Sequence, residues 1–221
     1  ATISANNDEV VGGYVADAIN QTGLYGVVHL VDGNSNVTSI EKQEGMQLNS
    51  GLTSPFFIND QKNQAASFKD AYVLISAKPI TLLKEIKNIL TEVVNEQKPI
   101  IIISESVEDE ALSTIVTNAV KGSYPIAIVN APSFGDDRIE TLRDIAIVTG
   151  AKIVGDETGL KIESMKLSDL GKVSSVFANR DETKLVGGIG NKEQIDARIE
   201  YVKTNIELAK NEYERTQLET R

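Results

Sequence analysis

The chain carries one histidine, His29, so a Ser-His-Asp relay or an imidazole metal site would have to be built around that single ring. It sits in a β-branched run, Val27 to Val31, where a lone histidine is ordinarily structural. Cysteine is absent, which removes thiolate catalysis, disulfides and zinc-thiolate sites together. Carboxylates are plentiful, with adjacent pairs at Asp8-Glu9 and Asp136-Asp137. Adjacency in sequence does not set the spacing that a paired acid and base require, so capping and solvated roles are expected. The glycine-rich Val186-Gly-Gly-Ile-Gly190 lacks the Lys-Ser/Thr ending of a phosphate loop and reads as a turn. Asp32-Gly-Asn-Ser-Asn36 lacks the spaced acidic series ending in Glu that a calcium loop needs, and also reads as a turn. No catalytic residue, metal or cofactor is expected in this chain.

Composition narrows the remaining classes. At 221 residues the chain can hold one large domain or a domain with an appendage. Its formal charge of -10 argues against nucleic-acid and anionic-membrane surfaces, which need clustered Lys and Arg. No apolar run approaches the roughly 20 residues that span a bilayer. The sequence starts at Ala1 with a polar stretch and no signal-peptide core, and reads as an excised segment.

The elements that must position any site follow from periodicity. Val10, Tyr14, Val15, Ala18 and Ile19 recur at helical spacing over Glu9 to Ile19, with Asp8 available as a cap. A strand at Val27 to Val31 ends at the turn signal Asp32-Gly33-Asn34. Gly45, Gly51 and Pro55 cluster where this first unit gives way to a second, which predicts a boundary or hinge at Gly45. From Tyr72 the pattern alternates: strand Tyr72 to Ser76, helix Thr81 to Asn95, strand Pro99 to Ser104, helix Glu108 to Lys121, strand Ile126 to Asn130. Such alternation predicts an α/β domain with parallel strands. The run of isoleucines from Ile100 to Ile103 has no polar face, as a strand covered on both sides requires. Beyond it are a helix from Asp137 to Thr149 and strands at Lys152 to Gly155, Val173 to Ala178 and Lys184 to Val186. The segment from Lys192 to Thr220 carries Ile195, Ile199, Val202 and Ile206 in one stripe and predicts a single long helix packed along the domain.

The two central helices carry more apolar surface than one sheet face can cover. On the first, Leu82, Ile86, Ile89 and Val93 form one row and Leu83, Leu90 and Val94 a second. On the second, Ala111, Ile115 and Ala119 form one row, with Leu112 and Val116 in another. Each surplus row either packs on its neighbour or lines an exposed apolar groove of the kind that marks protein-binding sites. Spacing alone leaves both open.

The order and spacing of short motifs along the whole chain resemble the GroEL-type (group I) chaperonins. They include Thr2-Ile-Ser-Ala-Asn6, Glu44-Gly-Met-Gln47, Ser54-Pro55, Phe57-Ile-Asn59, Lys98-Pro99, Glu110-Ala-Leu112, Ala131-Pro132, Phe134-Gly-Asp136, Asp144-Ile-Ala146, Thr149-Gly150 and Asp169-Leu-Gly171. The resemblance implies a partial intermediate domain of α+β type over residues 1–44, a hinge at Gly45, and an apical domain over 45–221. That apical domain would have a layered β/α fold with a surface helix pair. It further implies that non-native polypeptides and a GroES-type cochaperonin share one groove, made by Leu52, Phe56 and Phe57 below, Lys87 and Leu90 on the first helix, and Leu112, Val116 and Thr117 on the second. The family usually has Tyr, Leu and Val where Leu52, Lys87 and Thr117 stand. In the full-length protein the resemblance implies ATP and Mg, a homo-oligomeric ring and a bacterial-type cytoplasmic setting, with an organelle matrix as the alternative. The ATPase site would lie outside this segment, which is expected to be monomeric and inactive as an ATPase. A small-molecule-binding or enzymatic α/β domain, or a specialised chaperonin paralogue, is the competing expectation.

Overall fold

The computed structural model describes residues 9–22, 44–122 and 124–221. His29, the Val27 to Val31 strand, the Asp32-Gly33-Asn34 turn and Asp8 lie outside the described residues. The chain divides into two compact units, 1–44 and 45–221. The first contributes α1 (Glu9–Thr22), in which Ala18 is buried while Val10, Tyr14, Val15 and Ile19 are largely exposed.

The second unit is α/β, built on a seven-stranded sheet. Its strands are β1 (Gly45–Leu48), β2 (Ala66–Ser76), β3 (Ile100–Ser104), β4 (Ile126–Asn130), β5 (Ile153–Val154), β6 (Gly171–Ala178) and β7 (Thr183–Gly188). The order is β1-β7-β6-β2-β3-β4, with β5 paired to the end of β2. The alternating segment from Tyr72 to Asn130 forms parallel strands as expected, while the sheet as a whole is mixed. β2, β3 and β4 run parallel, as does β5 beside β2, whereas β6, β7 and β1 are antiparallel additions. The reason lies in β2. Its first half alternates buried and exposed residues as a strand with one wet face does, and it pairs with β6. From Ala71 onward every residue is buried, and β3 joins at Tyr72.

β3 is the centre of the core, with all five residues buried, because helices and loops cover both faces. The helices are α2 (Leu83–Asn95), α3 (Asp109–Val120), α4 (Gly135–Thr149), α5 (Lys192–Leu208) and α6 (Glu212–Thr220). Local chemistry sets their ends. Glu85 reaches back from the first turn of α2 to accept the Leu82 N–H at 3.3 Å and the Thr81 hydroxyl at 3.2 Å. Gly150, at φ 74°, ends α4 in the left-handed conformation.

Two expectations change at the C-terminal side. The predicted single helix from Lys192 to Thr220 is two helices, because Asn211 accepts the Glu214 N–H at 2.8 Å while Glu214 accepts the Lys210 N–H at 3.0 Å. That reciprocal cap starts a new helix across what apolar spacing reads as continuous. Its apolar stripe is only partly covered: Ile195, Val202 and Ile206 are half-buried and Ile199 is exposed. The glycine-rich stretch is not a turn at Gly187 but the end of β7 laid against the last turn of α4. A Cβ on Gly188 or Gly190 would fall 2.2 Å from the Val148 carbonyl oxygen or 1.9 Å from that of Ile147.

Candidate functional site

α2 and α3 follow parallel strands and pack on one another, and α3 also packs on a 3₁₀ turn, Pro55–Phe57. The turn is fixed by Ser54, whose hydroxyl accepts the Phe56 N–H at 3.4 Å, and by Pro55 with its preset φ. The segment before it is tied to the outer edge of the sheet: Leu52 bridges Val129, and Thr53 donates its N–H to the Ile128 carbonyl at 3.0 Å. Leu52, the 3₁₀ turn, α3 and α2 are thereby anchored to one rigid sheet.

Within this assembly the apolar rows separate by depth. Ile86, Ile89 and Val93 of α2 and Ala111 and Ile115 of α3 are buried. Leu83 and Leu90 of α2 and Leu112, Val116 and Ala119 of α3 are half-buried, touching the core on one side. Val94 and Val120 continue those outer rows into solvent, at 43% and 60% relative exposure. Phe56 is 61% exposed, while the adjacent Phe57 is 3% exposed and belongs to the core. Phe57 therefore packs under the surface and supports the 3₁₀ turn from below, which corrects its expected place on the binding face.

Lys87 and Thr117 are exposed. The Thr117 hydroxyl donates to the Ser113 carbonyl at 2.8 Å, an i−4 bond within the helix, which leaves its methyl group as the part free to meet a partner. Lys87 lies between Leu83 and Leu90 on the outer row of α2, where its methylene stem can cover apolar surface while the ammonium stays wet. Gly45 opens β1 opposite Val186. A Cβ there would meet the Leu185 carbonyl oxygen at 2.4 Å, so glycine at this position is explained by close strand pairing.

A cleft of about 380 Å³ sits at the carboxyl ends of β2 and β5, lined by Ser76, Lys78, Glu85, Val154 and Asp156 among others. Clefts at such strand ends commonly hold ligands in α/β sheets. Here several of its polar groups are already engaged. The Ser76 hydroxyl donates to the Lys78 carbonyl at 2.8 Å, Lys78 pairs with Asp156 at 2.5 Å, and Glu85 caps α2. Among the described residues no group of three or more His, Cys, Asp or Glu is placed to hold a metal ion. No described helix is long and apolar enough to cross a membrane.

A polar cluster on α4 had no signal in the sequence. Asp144 and Glu140, one helical turn apart, both receive Arg198 and Arg221. Burial alone would raise the Glu140 carboxyl, but the Arg198 and Arg143 guanidiniums outweigh it and hold the group below the ordinary carboxylate value. Arg143 also bonds Glu157 at 2.5 Å. Asp169 is likewise held low, by Lys152 at 2.7 Å and by the Lys166 N–H at 3.0 Å. No protein-family model matches the chain.

Proposed function

We propose that this chain is the substrate-capturing part of a group I chaperonin, with residues 45–221 as the apical domain and 1–44 as part of the intermediate domain, joined at Gly45. The observation that carries the reading is the depth gradient on α2 and α3. Each helix buries one apolar row and keeps a second at the solvent boundary, from Leu83 and Leu90 to Val94 and from Leu112 and Val116 to Val120. With Phe56 exposed on the 3₁₀ turn that packs against α3, these rows bring apolar side chains to the solvent boundary on neighbouring elements, as protein-binding surfaces do.

Capture would proceed by burial. Apolar segments of a non-native polypeptide lose water against Leu90, Leu112, Val116 and Phe56, gaining about 25 cal/mol per Å² covered. Few directional polar groups are present to specify the client's sequence, so many clients would fit. A GroES-type cochaperonin would compete for the same surface, and in the full-length protein ATP and Mg held elsewhere would drive domain movement within a homo-oligomeric, cytoplasmic folding chamber.

The test is binding of a chemically unfolded, aggregation-prone client to the native chain and to a Phe56→Ser, Val120→Ser variant. Both side chains are largely exposed, so the variant should keep its thermal midpoint. Capture falling several-fold is the expected result. Equal capture by both proteins, or none by the native chain, overturns the proposal.

A further inference from the structure

We propose that α5 and α6 form a salt-latched arm, held to α4 by two arginines that share the same two carboxylates, and that the arm detaches as a unit while the sheet stays folded. Neither helix contains a buried residue, so apolar burial gives only partial attachment, through half-buried residues such as Ile195, Val202 and Ile206. The polar attachment is concentrated. Arg198, from α5, places Nε 2.6 Å from one oxygen of Asp144 and Nη2 2.6 Å from Glu140. Arg221, just past α6, places Nε 2.9 Å from the other Asp144 oxygen and Nη2 3.1 Å from the first. All four side chains are largely buried.

This arrangement is sensitive to mobile ions for a definite reason. Glu140 and Asp144 are like charges at i,i+4 on one helix, a repulsive spacing that the arginines neutralise when the arm is docked. Lifting the arm leaves Asp144 bare, Glu140 with only Arg143 of its own helix beside it, and two bare guanidiniums on the arm, so open states take up counterions and are favoured by salt. The pivot follows from the backbone: Gly190 donates its N–H to the Val148 carbonyl at 3.0 Å, fixing the end of β7, and Asn191 caps α5 as a separate start. A cleft of about 550 Å³ already lies beside the docked Arg198, lined by Ala146, Ile147, Ile153 and Leu160.

Hydrogen exchange on the full chain tests this at about 0.1 M and about 1 M NaCl, between which the screening length falls from about 10 Å to about 3 Å. Amides of α5 and α6 should exchange about tenfold faster or more at high salt, with β3 unchanged. Arg198→Met should give fast arm exchange at both salt concentrations, and Arg221→Met should speed exchange of α5 and α6 together, by a smaller factor. Arm exchange that ignores salt in the native chain overturns the proposal. So does loss of β3 protection together with the arm in Arg198→Met, since arm and sheet would then be one cooperative unit.

Discussion

α2 and α3 on one side and α5 and α6 on the other are all amphipathic surface helices, yet they are attached by opposite means. The first pair is pinned by Ile86, Ile89, Val93, Ala111 and Ile115 in the core and has apolar surface left over. The second pair buries no residue and relies on Arg198 and Arg221 meeting Glu140 and Asp144. Apolar burial is insensitive to salt and tolerates surplus, so a helix held that way can devote its outer row to a partner. Charge pairing is directional and screenable, so a helix held that way can come loose without unfolding its neighbours.

The largest effect that would sharpen this contrast is expected from Ile89→Ala, which removes a fully buried side chain from α2. A loss of about 2–5 kcal/mol in chemical denaturation is expected, with α2, α3 and the sheet unfolding together. A loss confined to α2 would break the comparison. Acid should next strike the other pair. Because Glu140 is held below its unfolded value, its stabilising contribution is complete above about pH 4.5 and disappears as pH falls through the lower folded value. Arg198 lies over the Tyr201 ring at 4.9 Å, so tyrosine fluorescence is expected to change in that acid range before far-ultraviolet circular dichroism reports loss of the sheet. Smaller again is Phe56→Ser, which should change stability by less than about 0.5 kcal/mol while weakening client capture in a pull-down with an unfolded polypeptide. The smallest is Lys87→Leu: no measurable stability change and capture strengthened about two- to fivefold in the same assay, as the outer row of α2 becomes continuously apolar. Capture weakened by that substitution would show that the ammonium itself contributes.

Strands and helices with a single dominant environment were legible in the sequence. Ile100 to Ile103 could only be a strand covered on both faces, and Ile86, Ile89 and Val93 could only face a core. Mixed environments were less so. β1 holds Gly45 and Gln47 among its four residues, and the first half of β2 carries the exposed Lys69 and Asp70, so neither reads as strand until a partner is known. Phe56 and Phe57 are adjacent and identical in type, and only the geometry of the 3₁₀ turn sends one outward and the other inward. The outer rows of α2 and α3 were visible as surplus, though not how far each residue stands in solvent. The α4 cluster was beyond reach because Arg198 and Asp144 lie 54 positions apart, and nothing local marks either residue as half of a pair.

The glycines at the end of β7 have a consequence for how this domain can vary. Where Gly188 and Gly190 face the Val148 and Ile147 carbonyl oxygens at distances no carbon could occupy, even alanine would act as a wedge under α4, the helix that bears Glu140 and Asp144. Such a position admits no graded tuning by side-chain size: the smallest addition already tilts the platform onto which both arginines dock. Substitution there should therefore register first as misalignment of distant charges and only second as a packing defect.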